Sequence, residues 1–257
     1  MLLKDKVAMV VGGSESIGRA VATALAEEGA STAICSRPRP EEPEVVADLR
    51  GRGLETMWAP GDMTEAASMV SAVERVIERY GKLDIMVVSG APAGFETGLF
   101  EDLDPAQYHI MISSQLTSRL NCLHAALKPM ISQGYGKVVF ITTDAGRTPT
   151  PASSVTGAAA AGVTFFTRSA GRELARRGIR INCIATTLTA DTRQYNELKQ
   201  KGTNPVHTKS YAKAENKFGF RINLPSDIAD AALFFAGPQS DQISGAVVSI
   251  NGGLSFP

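Results

Sequence analysis

Val7-Ala8-Met9-Val10-Val11-Gly12-Gly13-Ser14-Glu15-Ser16-Ile17-Gly18-Arg19-Ala20 decides how this chain is read. Five apolar residues in a row form a short run with no polar break, which reads as a buried strand. The Gly-Gly-Ser turn then leads into an amphipathic stretch predicted as a helix over Ile17–Glu28, with Gly29 just past its end as a C-cap. A strand that turns through glycines into a helix brings backbone N–H groups to a helix N-terminus. That is where a phosphate is held, and close backbone approach to it is what the glycines allow.

Outward from this unit the same alternation repeats. Strands are expected at Thr32–Cys35, Thr56–Ala59, Leu83–Val88, Val138–Thr142, Ile179–Ile184 and Ala246–Ile250. Helices are expected near Glu44–Arg50, from a Thr64 cap to Tyr80, over Pro105–Ile131 as one long helix, over Val155–Arg176, and near Ser226–Phe235. Strand and helix in strict alternation imply βαβ units. The expected fold is α/β, a Rossmann-like, doubly wound parallel sheet of seven strands with helices on both faces, in one domain over residues 1–257. The polar stretch 188–222 is too long for an ordinary connection and is expected to be a lid over the crevice at the strand ends.

Composition narrows the function classes. Lys+Arg and Asp+Glu both number 26, so there is no basic excess for nucleic acid. No apolar run reaches the ~18–20 residues of a membrane span, and the start lacks a signal peptide's features. Cys35, Cys122 and Cys183 are few and far apart, and Cys35 and Cys183 lie in apolar runs; a reducing, cytoplasmic setting is the expectation. His109, His124 and His207 show no metal spacing, so no metal is expected; His124 suits an interface or the core.

By Val11–Gly18 the chain resembles a short-chain dehydrogenase/reductase (SDR). The likeness continues through Gly61-Asp62-Met63-Thr64, Leu83-Asp84-Ile85, Gly136-Lys137-Val138-Val139, Arg172-Glu173-Leu174-Ala175, Gly178–Asn182, Ser244-Gly245 and Asn251-Gly252-Gly253. Each is short, but their order and spacing together are specific for the fold. The resemblance implies a nicotinamide dinucleotide at Gly12, Ser14, Ser16, Ile17, Gly18, Ser36, Arg37, Asp62, Met63, Ser89 and Gly90. Ser16 stands where the family has its middle glycine, and Glu15 puts a negative charge beside the phosphates. Ser36-Arg37 lacks an acid for the adenosine ribose, while Arg37 suits a 2′-phosphate, so NADP is the expected dinucleotide if one binds. Where the family has Asn-Asn-Ala-Gly, this chain has Val88-Ser89-Gly90-Ala91.

The resemblance also implies four catalytic slots: an asparagine, a serine, a tyrosine thirteen residues later and a lysine four beyond that. A phenol with its ordinary pKa of ~10 is a poor base near neutrality, so a cation one helical turn away is needed to stabilise phenolate. Carried onto this sequence, the slots hold Gln115, Thr143, Thr156 and Ala160. Thr143 can still hydrogen-bond a substrate oxygen. Thr156 is far too weak an acid to replace tyrosine, and Ala160 carries no charge. After the sixth strand the usual Pro-Gly is Thr186-Thr187. A second Tyr-x-x-x-Lys, Tyr195–Lys199, falls in the expected lid, and Tyr195 is a weak alternative acid/base.

In the family the helices corresponding to 105–131 and 155–176 usually meet a second subunit. Gly157-Ala158-Ala159-Ala160-Ala161-Gly162 lowers helix propensity while permitting close backbone approach, so an oligomer is expected, possibly with a catalytically intact SDR homologue. Three readings stand. The first is a catalytically silent subunit of a hetero-oligomeric alcohol or hydroxyacyl-CoA dehydrogenase or ketoreductase. The second is an active NADP-dependent oxidoreductase with a rewired site. The third is a non-redox, nucleotide- or ligand-binding regulatory protein.

Overall fold

A computed structural model describes residues 1–90, 97–193, 195–196 and 221–254 of the chain. Seven parallel strands form one sheet: β1 (Val7–Val11), β2 (Ser31–Ser36), β3 (Thr56–Pro60), β4 (Ile85–Val88), β5 (Gly136–Thr143), β6 (Ile179–Thr186) and β7 (Val247–Ile250). Their order is β3-β2-β1-β4-β5-β6-β7. The order reverses between β1 and β4, and the crevice at a doubly wound sheet's carboxyl edge opens there. β1, β4 and β5 are buried on both faces, which explains their unbroken apolar reading.

Helices α1 (Ser16–Glu27), α2 (Glu44–Gly51), α3 (Ala66–Tyr80), α4 (Tyr108–Ile112), α5 (Ser118–Gln133), α6 (Ser154–Leu174) and α7 (Pro225–Ala236) cover the sheet. One core packs α3, α5 and α6 onto Met9, Met86, Phe140 and Cys183. The other packs α1, α2 and α7 onto Val10, Ile34, Val87 and Ile184. Gly29 ends α1 in the left-handed conformation at φ +93°, its N–H bonded to Ala26 O at 3.0 Å, so it closes that helix as its sequence suggests.

Three local expectations are corrected. Thr64 does not cap α3: Asp62 Oδ1 accepts from the Thr64 N–H (2.9 Å) and hydroxyl (2.7 Å), so Thr64 belongs to the preceding turn. The stretch 105–131 is not one regular helix. It passes through a 3₁₀ turn (Pro105–Gln107), α4, a π-helical turn (Ser113–Thr117) and then α5. His124 is exposed rather than in the core. Most of the expected lid, 197–220, lies outside the described residues, as do Ala91, Lys199 and His207.

Candidate functional site

The β1–α1 turn is held by backbone contacts. Gly12 and Gly13 N–H groups donate to Cys35 O, at 2.8 and 3.3 Å, which ties the turn to β2. Gly12 has φ +76°, and a Cβ there would lie 2.4 Å from Gly90 Cα; a Cβ on Gly18 would lie 1.9 Å from Gly12 O. Both glycines are therefore required by the packing of the turn against the end of β4 and the start of α1, whatever binds. Ser16 is different. It keeps a left-handed φ of +51° with a side chain present, a conformation that costs about 1–2 kcal/mol outside glycine. The first turn of α1 has no side-chain cap and no acid. Its N–H groups point out of the helix with the positive end of its dipole, a setting that suits a phosphate.

The residues expected on the adenosine side lie around this turn. Ser36 ends β2, its Oγ accepting from Trp58 Nε1 at 3.1 Å and Arg39 at 3.4 Å. Arg37 is exposed and has no ion pair or hydrogen bond among the described residues. Asp62 is half-buried and shaped by its turn; Ser68 Oγ accepts from its N–H at 2.9 Å. Met63 is buried, and Asn121 of α5 donates to the Met63 and Thr64 carbonyls at 3.1 Å each. Ser89 and Gly90 N–H groups both donate to Val11 O, at 2.9 and 3.1 Å. Val88, in the asparagine position that joins the central strands in the family, is fully buried between β1 and β5.

The catalytic slots look unlike this. Gln115 sits in the π-helical turn, half-buried, and its side chain makes no hydrogen bond among the described residues. Thr143 ends β5, and its hydroxyl oxygen accepts from the Ala145 N–H at 3.3 Å, capping the short turn Asp144–Gly146. Thr156 is buried and spends its hydroxyl on Ser153 O at 3.3 Å, within its own helix. Ala160 is fully buried. A Cβ on Gly146 would lie 2.8 Å from Ala160 Cβ, and one on Gly157 would lie 2.8 Å from Ala145 O. The turn 144–146 therefore lies directly on the small-residue start of α6, beside the lysine position. Tyr195 is buried, its N–H donating to Thr192 Oγ1 at 3.2 Å. Among the described residues no group of His, Cys, Asp or Glu could hold a metal.

Two features near the slots were not singled out from the sequence. Asp144 is buried and accepts from Ser249 Oγ (2.8 Å) and Asn251 Nδ2 (2.6 Å), while Arg147 donates to Ser249 Oγ at 2.6 Å, joining the end of β5 to the end of β7. A carboxylate and a guanidinium directly after an apolar strand are the signal that marks this network. Arg119 is 1% exposed and donates to Ser114 O, Ser118 Oγ and Ile141 O, at 2.8, 3.1 and 3.0 Å. Burial without a carboxylate pulls its pKa down to about 10. It shares helical spacing with the buried Cys122, Leu123 and Ala126, so periodicity alone places it inward. Its bond to Ser114 O holds the π-helical turn that contains Gln115.

Comparison with known proteins agrees with this geometry. Residues 11–255 match a family model described as enoyl-(acyl carrier protein) reductase. The cis-4-hydroxycyclohexanecarboxylate dehydrogenase of Sinomonas cyclohexanicum is 31% identical over 251 residues, 98% of this chain and 97% of that protein. The 3-oxoacyl-(acyl-carrier-protein) reductase FabG of Staphylococcus aureus is 27% identical, covering 97% of this chain and 98% of its own. The (2S)-((R)-hydroxy(phenyl)methyl)succinyl-CoA dehydrogenase subunit BbsD of Thauera aromatica is 29% identical, covering 100% and 99%. The crystal structure of gox2181 superposes with a TM-score of 0.89 at 29% identity, over 98% of this chain and 96% of that one. The sheet order, the glycine turn and these matches together place the chain in the short-chain dehydrogenase/reductase family of oxidoreductases.

Proposed function

We propose that this chain is a catalytically silent subunit of a hetero-oligomeric dehydrogenase acting on an alcohol or hydroxyacyl-CoA, where it stabilises or shapes an active homologue. One observation carries the reading: the acid/base and cation positions hold Thr156 and Ala160, both buried, with the turn 144–146 lying against the second. An aliphatic hydroxyl already bonded within its helix has neither the acidity nor the freedom to move a proton to substrate. A relative in the same family that is itself named as a dehydrogenase subunit supports the subunit assignment.

The nucleotide pocket belongs to the same reading. A nicotinamide dinucleotide would supply hydride chemistry, and the residues present fit one. The α1 N-terminus, with Gly12, Ser14, Ser16, Ile17 and Gly18, would hold its pyrophosphate. Asp62 and Met63 would meet the adenine, Ser89 and Gly90 would border the pocket, and Ser36 with Arg37 would take a 2′-phosphate, favouring NADP. The strained Ser16 supports occupancy, since packing explains the glycines but not a left-handed serine.

The chain purified alone is expected to leave NADPH and NADH absorbance unchanged against 3-oxoacyl thioesters and to reduce neither dinucleotide with secondary alcohols. Turnover of 1 s⁻¹ or more, on the order of an ordinary enzyme's, would overturn the proposal and favour a rewired active site, with Tyr195 as its first candidate.

A further inference from the structure

Among the described residues the chain buries two cationic side chains, and it treats them differently. Lys137 is 1% exposed and meets a carboxylate: Asp241 Oδ1 lies 2.7 Å from its Nζ, and Gly237 O and Ser240 Oγ accept from the same ammonium. Arg119 is equally buried and meets none. Its bonds go to Ser114 O, Ser118 Oγ and Ile141 O, all neutral. A guanidinium has five N–H donors, so these three bonds leave two over, and the Nε–H has no partner among the described residues. Buried charges are ordinarily paired, because taking an ion out of water without a counter-charge is costly.

The ionisable groups around Arg119 do not supply the missing charge. Cys122 and Cys183 are its electrostatic neighbours, and burial pushes both thiols up to about 12, so both are neutral near pH 7. The guanidinium itself stays charged there, since burial lowers it only to about 10.

A second buried group at this place is also unbonded. Along β5, Val138 and Phe140 belong to the core under α5 and α6, while Val139 and Ile141 belong to the opposite one, so alternation turns Thr142 to the Arg119 side. Thr142 is 4% exposed and directly follows the residue whose carbonyl Arg119 holds. Its Oγ1 has no partner among the described residues.

What is left over between β5 and α5 is therefore a set of donors: the Nε–H, a second guanidinium N–H and the Thr142 hydroxyl. A water could accept from them, but it would need acceptors for its own two protons and would leave the charge unneutralised. A small anion accepts from all three and balances the guanidinium. Both side chains are closed off from solvent, which favours a monatomic ion over a larger ligand. From this geometry we infer that Arg119 and Thr142 hold a buried halide-sized anion, chloride in ordinary solution. The ion secures the guanidinium whose bonds fix the π-helical turn of Gln115 and the end of β5. The inference stands apart from the subunit reading and from the nucleotide pocket.

The direct test is crystallography on protein purified and crystallised in bromide instead of chloride. An anomalous peak is expected in contact with both Arg119 Nε and Thr142 Oγ1. In solution, thermal melts at constant ionic strength compare chloride with gluconate. For a site of about 10 mM affinity, Tm should rise by about 4 °C from about 1 mM to about 100 mM chloride and then level off. Thr142→Val, which removes the hydroxyl at nearly constant volume, should cut that rise at least twofold. Arg119→Met should abolish it, and Thr142→Val carries the test if Arg119→Met does not fold. A bromide peak absent from this pair, or found only at the start of α1, overturns the inference. So does a chloride-dependent rise of equal size in wild type and Thr142→Val.

Discussion

The two ends of the crevice have departed from the family pattern in opposite ways. At the β1–α1 turn a side chain changed and the backbone kept its shape: Ser16 replaces a glycine yet still adopts a left-handed φ. At the junction of β5 and α6 the side chains differ and the space is filled: Thr156 donates to Ser153 O at the start of α6, and the turn 144–146 lies against Ala160. A site that had lost all use for a ligand would be free to relax at both ends. Under the proposed function, this difference would separate holding a nucleotide from reacting it.

The comparison is broken most easily at the closed end. Ala160→Lys should lower unfolding free energy by about 3 kcal/mol, because it buries an unpaired charge at a fully buried position; denaturant melts measure it. A neutral result would mean that the lysine position still opens to the crevice. At the retained end, Arg37→Ala should weaken NADPH binding about tenfold and leave NADH unchanged in calorimetric titration, since the guanidinium serves only the 2′-phosphate. Equal loss for both dinucleotides would remove the NADP preference. Ser16→Gly should stabilise the chain by about 1 kcal/mol without loss of nucleotide affinity, as the left-handed strain is relieved. A destabilised variant would mean that the serine side chain, not the backbone, is what the turn retains.

The smallest effect lies on α7, which packs against α1. Arg221 grips Asp227 with two 2.6 Å bonds, and the Asp227 carboxylate also accepts from the Leu224 N–H at 2.7 Å. The guanidinium, followed by that N–H, holds the Asp227 pKa below the ordinary carboxylate value. The sign follows: its contribution is complete above the unfolded value of ~3.9 and is lost as pH falls through the lower folded one. Thermal melts of the wild type should fall faster than those of Asp227→Asn as pH drops below about 4. Parallel curves would remove the carboxylate from the packing of α7.

Much of this was readable beforehand, for identifiable reasons. All seven strands and their helices follow from apolar runs and glycine punctuation, because buried parallel strands tolerate little else. The slots at Gln115, Thr143, Thr156 and Ala160 are assigned from the family resemblance and spacing to fixed neighbours, and the fold places Thr143 at the end of β5 and Thr156 and Ala160 in α6. What was not readable depends on three-dimensional contact. The π-helical turn arises where buried Arg119 draws on Ser114 O, a bond across a helix that periodicity cannot show. Gly12 and Gly18 looked like nucleotide residues and turned out to be demanded by strand–turn packing as well, since Gly90 and Gly12 approach each other only in the fold. Thr64 looked like a cap because a threonine precedes the helix, but its N–H and hydroxyl both donate to Asp62 Oδ1 in the turn before it.

The contact between Gly146 and Ala160 also bears on history. A tyrosine at 156 without a lysine at 160 gains no acidity, and a lysine without the tyrosine has no proton to move. Each single step back toward chemistry therefore loses stability, through burial or crowding, before any rate returns. Two substitutions would have to arrive together. Under the proposed function, loss of the relay would behave as a ratchet, and a new role would be more easily reached through the surface than through the positions of the relay.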